Sequence, residues 1–308
     1  MASLYKLCDW IDKDKFNWCM LSINKNPIAI DLLAANPDRI VWYSLCSNPN
    51  AISLIKANPD KIIWRTLSRN ENALDLLLAN QDKIDWEELC ENPNAIDLLT
   101  KNPDKINWEI LSINPNAIDL LIQNQDKINW TVLSLNPNAI DLLEKNQDKI
   151  NWEELCENPN AIDLLTANQD KIIWRNLSVN PNAIDLLTQN QDKINWELLS
   201  TNCNAIDLLE ANPDKIDYYY LSTNPNAIHL LKKHQEDYSN NIYEKSPLFG
   251  TLEIDYNCWF ASNPNIFELD YNFIKNKMDI IREELMLKVL HPDRIKLWLD
   301  NGMDIEDI

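Results

Sequence analysis

The chain has 308 residues, enough for two ordinary domains or one long repeat array, and its 48 acidic against 28 basic side chains leave a formal net charge of −20. A surface that negative repels phosphate backbones and anionic lipid, so nucleic-acid binding and membrane attachment are disfavoured, and a basic protein is the charged partner that fits. The opening MASLYKLCDWIDKDK lacks an apolar signal core and no apolar run approaches membrane-spanning length, which predicts a soluble protein.

Residues 1–25 read as an N-terminal cap. Within and just beyond them, DKFNWCMLSINKNPIAIDLL is a repeat unit with two extra residues, because Trp18 and Trp42 are 24 apart. From residue 26 to 233 the period is strict: Trp42, Trp64, Trp86, Trp108, Trp130, Trp152, Trp174 and Trp196 are each separated by 22 residues, and Tyr218 continues the column. A fixed period of that length is the signature of a solenoid, in which each unit packs only on its neighbours.

Each unit has two halves. The first reads NPNAIDLL, as at Asn92 to Leu99, and the second NPDKINWEIL, as at Asn102 to Leu111. Asn followed by Pro is a helix start, with Asn capping free N–H groups and Pro at the first helical position; losing one such cap typically costs ~1 kcal/mol. At ~100° per residue, Ala117, Ile118, Leu120 and Leu121 span an apolar arc of roughly 160°, with Asp119 opposite on the wet face, so a two-turn amphipathic helix is expected. In the second half Ile128 and Trp130 would lie ~160° apart on one continuous helix. The pattern instead predicts a short turn over Gln125 to Ile128, then a fresh helix capped by Asn129 and starting at Trp130. A leucine-rich repeat is disfavoured, because Cys90 and Glu91 break its alternation and β-branched residues other than Ile are sparse.

The seven cysteines are odd in number and form no CxxC pair. Cys46, Cys90 and Cys156 share a repeat position with Ser112, Ser134, Ser178 and Ser200, which reads as a demand for a small packing side chain in a reducing compartment. Residues 234–308 read as a divergent helical C-terminal cap. It contains a polar insertion after Lys233, a revived half-unit at Ser262 to Asp270, a helix from about Tyr271 to Leu290, and HPDRIKLWLDNG with His291 in the capping position and Gly302 as a stop. Lys232, Lys233 and His234 are expected to end the last regular helix.

Phosphate-binding loops, HExxH, CxxC and GxSxG are absent; His229 stands in place of a wet-face Asp, His234 and His291 in place of capping Asn, and the five-residue spacing of His229 and His234 does not align two ligands on one helix face, so no enzyme chemistry, cofactor or metal is expected. The Trp column reads as mortar between neighbouring units. Partner recognition in solenoids resides at positions that vary between copies. Here these follow each Trp or precede the next Asn-Pro, and the candidates are Tyr43, Arg65, Arg69, Ile113, Thr131, Val132, Leu135, Arg175, Val179, Tyr219 and Tyr220.

NPNAIDLL, DKINW followed by LS, and the ending LHPDRIKLWLDNGMDIEDI together resemble the tandem-repeat proteins of giant DNA viruses of protists, over nearly the entire chain. That resemblance implies synthesis in the cytoplasm of an infected cell, or packaging in a virion; no catalytic residues come with it. The resulting expectation is an all-α fold, an αα-solenoid of about ten 22-residue two-helix units with capping elements at both ends, extended to near ~100 Å before superhelical curvature. Its expected role is a non-enzymatic scaffold for a host or viral protein. The alternatives are a structural virion component and, last, an enzyme or ligand-binding activity in residues 234–308.

Overall fold

The computed structural model describes residues 4–11, 17–239, 261–289 and 291–301. The chain is an all-α repeat solenoid whose described residues include one small sheet of two strands. It divides into two compact units, one comprising Asp9–Ile266 and the other Met1–Cys8 with Phe267–Ile308.

The larger unit holds the repeats. In the copy that begins at Asn114, a turn over Pro115 to Ala117 leads into a helix at Ile118–Ile122. A 3-10 turn follows at Gln125–Lys127, then a helix at Trp130–Leu133 capped by Asn129, whose side chain accepts from the Val132 N–H. The turn, the cap and the second helix lie where the sequence puts them. The first helix is shorter than expected, because the Asn-Pro-Asn segment forms a tight turn and regular α-helix starts only at Ile118. In the first copy α-helix begins at the proline, over Pro27–Ala34 with Asn26 as cap, and in the second the proline opens a 3-10 turn, Pro49–Ala51, that leads into Ile52–Lys56. The wet face is also as read: Asp97, Asp119, Asp141, Asp163, Asp185 and Asp207 are all exposed. Ala117, Leu121 and Leu133 are fully buried, as are their counterparts in neighbouring copies, so the core is a stack of Ala and Leu columns running through the array.

The asparagine that opens each unit does more than cap. Asn136 is fully buried. Its Oδ1 accepts from the Asn138 N–H at 3.0 Å, while its Nδ2 donates to the Ser112 carbonyl at 3.0 Å and the Asn114 carbonyl at 2.9 Å, both in the preceding unit. The same pair of rungs recurs along the array, for example from Asn92, Asn158 and Asn202. A second, exposed ladder runs beside it, with Asn138 Nδ2 donating to the Pro115 carbonyl at 2.9 Å. Repeated short helices leave many buried carbonyls without intrahelical partners, and these amides satisfy them.

The Ser/Cys position is likewise more than a small-residue requirement. Ser134 Oγ donates to the Trp130 carbonyl at 2.8 Å and accepts the Asn151 N–H of the next unit at 3.1 Å. Cysteine does the same with longer contacts: Cys156 Sγ accepts the Ile173 N–H at 3.2 Å, and Cys90 Sγ donates to the Trp86 carbonyl at 3.2 Å while accepting from Asn107. The site needs a small group that both donates and accepts, which admits Ser and Cys and excludes Ala. Burial pushes the thiols of Cys46, Cys90 and Cys156 above the ordinary value, and only partly do their hydrogen bonds offset it. Under native conditions these three are therefore expected to react with iodoacetamide on the order of 100-fold more slowly than exposed Cys19, and to match it only once urea unfolds the chain. Peptide mass spectrometry reads the difference, and equal native rates would refute it.

The ladder has no free end among the described residues. Asn263 donates to the Asn224 carbonyl at 2.8 Å and to Ser222 at 3.4 Å, as the next unit should. Asn24, in the first copy, donates to the Ala261 carbonyl at 2.8 Å and the Asn263 carbonyl at 2.9 Å. Asn48 then donates to Asn24, and the series continues through Asn70, Asn92, Asn114, Asn136, Asn158, Asn180, Asn202 and Asn224 back to Asn263. The exposed ladder crosses the same seam, from Asn26 to the Pro264 carbonyl at 2.6 Å. The expected extended body is thus corrected: the first and last repeats of this unit cover one another, and its array is a closed circuit. Each step carries a small rotation, and enough steps bring the last unit to the first.

In the smaller unit Tyr5–Leu7 pairs antiparallel with Phe267–Leu269, with Tyr5 opposite Leu269, and the Asp270 N–H donates to the Leu4 carbonyl at 2.9 Å. Two helices follow, Tyr271–Val289 and Pro292–Asp300. The second is capped by His291, whose Nδ1 accepts from the Asp293 N–H. In the larger unit, the helix expected to stop near His234 instead runs over Ile228–Ser239. His234 lies beneath the Tyr218 ring, with ring centroids 3.6 Å apart, and burial lowers its pKa. Gly302, Cys258 and most of the polar insertion lie outside the described residues.

Candidate interaction surface

The second helix of each unit is a single turn beginning at Trp, so the residue after Trp and the residue four further on stand on one side of it. The structure places Tyr43, Arg65, Thr131, Arg175 and Tyr219 in the first of these columns, all exposed. Ile113 is exposed in the second column, and Arg69, Leu135 and Val179 are half-buried there. Val132 and Tyr220 occupy the column between and are half-buried, where their counterparts Ser44 and Thr66 are buried.

The Trp rings themselves are half-buried rather than central to the core. Five of them, Trp64, Trp108, Trp130, Trp174 and Trp196, carry a lysine from the following unit over the face: Lys127 lies 4.5 Å from the Trp108 centroid, Lys149 4.4 Å from Trp130, and Lys215 4.3 Å from Trp196, whereas the equivalent Lys61, Lys105 and Lys171 pair with the aspartate beside them. The column is indeed mortar, but part of its adhesion is cation–π at the edge of the core. Sequence reading missed this role for the lysine of DKI. Its constant spacing of 19 residues after each Trp from Trp42 to Trp196 was the available signal.

Charges along the variable columns are distributed unevenly. Arg65 Nε lies 2.8 Å from Glu88 Oε1, and Arg69 reaches Glu88 at 3.7 Å and Glu91 at 3.8 Å, so these two candidates are tied to the next unit. Glu88, through its hydrogen bond and charge, pushes the Arg65 pKa further up. Sequence reading did not single out Glu88, which becomes visible only when residues 23 apart are seen as neighbours. Three units after Glu87, Glu88 and Glu91 stand Glu153, Glu154 and Glu157, which no ion pair among the described residues reaches; Glu157 Oε1 accepts a hydrogen bond from Asn176 Nδ2 at 2.8 Å. Burial first, and then Glu157 and Glu153, hold the Glu154 carboxyl above the ordinary carboxylate value. Tyr219 and Tyr220 meet edge to face at 5.5 Å.

Among the described residues no cluster of three or more His, Cys, Asp or Glu side chains is arranged to hold a metal ion, and no helix is long and apolar enough to cross a membrane. Comparison with family models, curated proteins and solved structures finds no match to this chain.

Proposed function

We propose that the chain is a non-enzymatic scaffold that presents the column after each Trp to a protein partner. The observation that carries this reading is a division of labour within the unit. The invariant positions are consumed by the ladders, the Ser/Cys contacts and the Ala–Leu core, whereas the residue after Trp is exposed in every described copy and is not fixed: it is Glu at Glu87, Glu109, Glu153 and Glu197 and otherwise Cys, Tyr, Arg or Thr. Exposed Tyr43 and Tyr219 are the aromatic anchors such surfaces use, and the carboxylates of Glu153, Glu154 and Glu157, which no ion pair among the described residues neutralises, favour a basic partner. The resemblance to giant-virus repeat proteins supports a host or viral partner met in the cytoplasm of an infected cell.

Affinity capture on the immobilised full chain tests the reading. A captured basic protein should bind at least ~10-fold more weakly when Glu153, Glu154 and Glu157 are changed to Gln, and again when Tyr43 and Tyr219 are changed to Ala, with the urea midpoint unmoved. Full affinity in both variants would overturn it.

A further inference from the structure

The two helices of the smaller unit expose apolar residues in a pattern that a lone helix does not need. Along Tyr271–Val289, the residues Tyr271, Ile274, Met278, Ile281 and Leu285 recur at alternating steps of three and four, the heptad spacing of a helix–helix seam. Tyr271 is 73% exposed, Met278 59%, Ile281 50% and Leu285 60%; only Ile274 is partly covered. A second stripe lies on the other flank, where Ile280 and Leu287 are exposed at 58% and 73%. The helix Pro292–Asp300 adds Leu297 at 58% and Leu299 at 39%.

We infer that this helix pair is the contact through which two copies of the chain associate. Exposed area is the first argument. At on the order of 100 Å² for each large apolar side chain, the two helices together offer roughly 800–900 Å², which is what one side of a standard protein–protein interface holds. Self-complementarity is the second. A heptad stripe packs on a copy of itself, and a second molecule brings the same two helices, so four helices cover both stripes at once. Charge is the third. In a chain of net charge −20, the helix Tyr271–Val289 carries Lys275, Lys277, Arg282 and Lys288 against Asp279, Glu283 and Glu284, so this is a segment on which two copies meet without the repulsion acting elsewhere. The inference is independent of the scaffold reading, and with it each assembly would present two repeat arrays.

Sedimentation velocity on the full chain is the test. The expected result is a species of twice the 35.9 kDa chain mass that dissociates on dilution. Met278→Glu with Leu285→Glu should raise the dissociation constant at least ~100-fold and leave the far-UV circular dichroism and urea midpoint unchanged. If that variant misfolds, Ile281→Gln, which keeps helix propensity, should weaken the dimer at least ~10-fold. A chain that stays monomeric at ~100 μM, or a dimer indifferent to these substitutions, would overturn the inference. A monomeric chain that occupies the stripe with a different protein would equally do so.

Discussion

Asn136→Ala is expected to lower the stability of the chain by about 3–5 kcal/mol, far more than removal of an ordinary helix cap. The substitution leaves the Ser112 carbonyl and the Asn138 N–H without their partners and takes from the Asn114 carbonyl one of its two donors, the Ala117 N–H remaining, in a site where Asn136 is fully enclosed. Each buried group stranded in this way costs roughly 1–3 kcal/mol, while a surface cap costs ~1 kcal/mol. Asn136→Asp should fare no better at neutral pH, because a carboxylate accepts at both oxygens and has nothing to donate to the two carbonyls. The contrasting change is Asn138→Ala, whose side chain donates one exposed bond to the Pro115 carbonyl and should cost less than ~1 kcal/mol. Urea titration followed by circular dichroism separates the two: a shift of equal size in both variants would mean that the buried ladder is not what holds neighbouring units together.

This difference also shows where sequence reading stopped. The fresh helix at Trp130, its Asn129 cap and the wet position of Asp119 follow from local rules, which need only the residues within a turn or two, and the structure has all three. Asn136 was legible as a cap because its Oδ1 bond is local, to a residue two positions on. Its Nδ2 bonds reach residues 22 and 24 positions back, and in a strict repeat an asparagine column looks the same whether it caps, bridges units, or does both. The variable columns were legible as columns, since the period alone defines them. That Arg65 and Arg69 are tied to Glu88 was not, because it depends on how far one unit is rotated against the next. Closure was the least legible feature. Asn263 stands 39 residues after Asn224 instead of 22, beyond a stretch in which the register fails, and curvature is a small angle per unit that no residue type encodes.

Closure can be tested by the same chemistry moved to the seam. Asn24→Ala is expected to cost about as much as Asn136→Ala, again about 3–5 kcal/mol, because Asn24 is also buried and holds the Ala261 and Asn263 carbonyls. In an open array Asn24 would belong to the first unit, its amide would face water, and its loss would cost less than ~1 kcal/mol. Hydrogen exchange supplies a second reading. An open array frays from its ends, so its terminal units exchange through low-energy openings, whereas in a closed circuit every unit has two neighbours and the helices at Trp18–Ile23 and Tyr218–Leu221 should be as protected as Trp130–Leu133. In Asn24→Ala the protection should fall first at the seam, by on the order of 100-fold, and only later toward Trp130. Fast exchange at Trp18–Ile23 in the unaltered chain, together with a small cost for Asn24→Ala, would show that the circuit is open in solution.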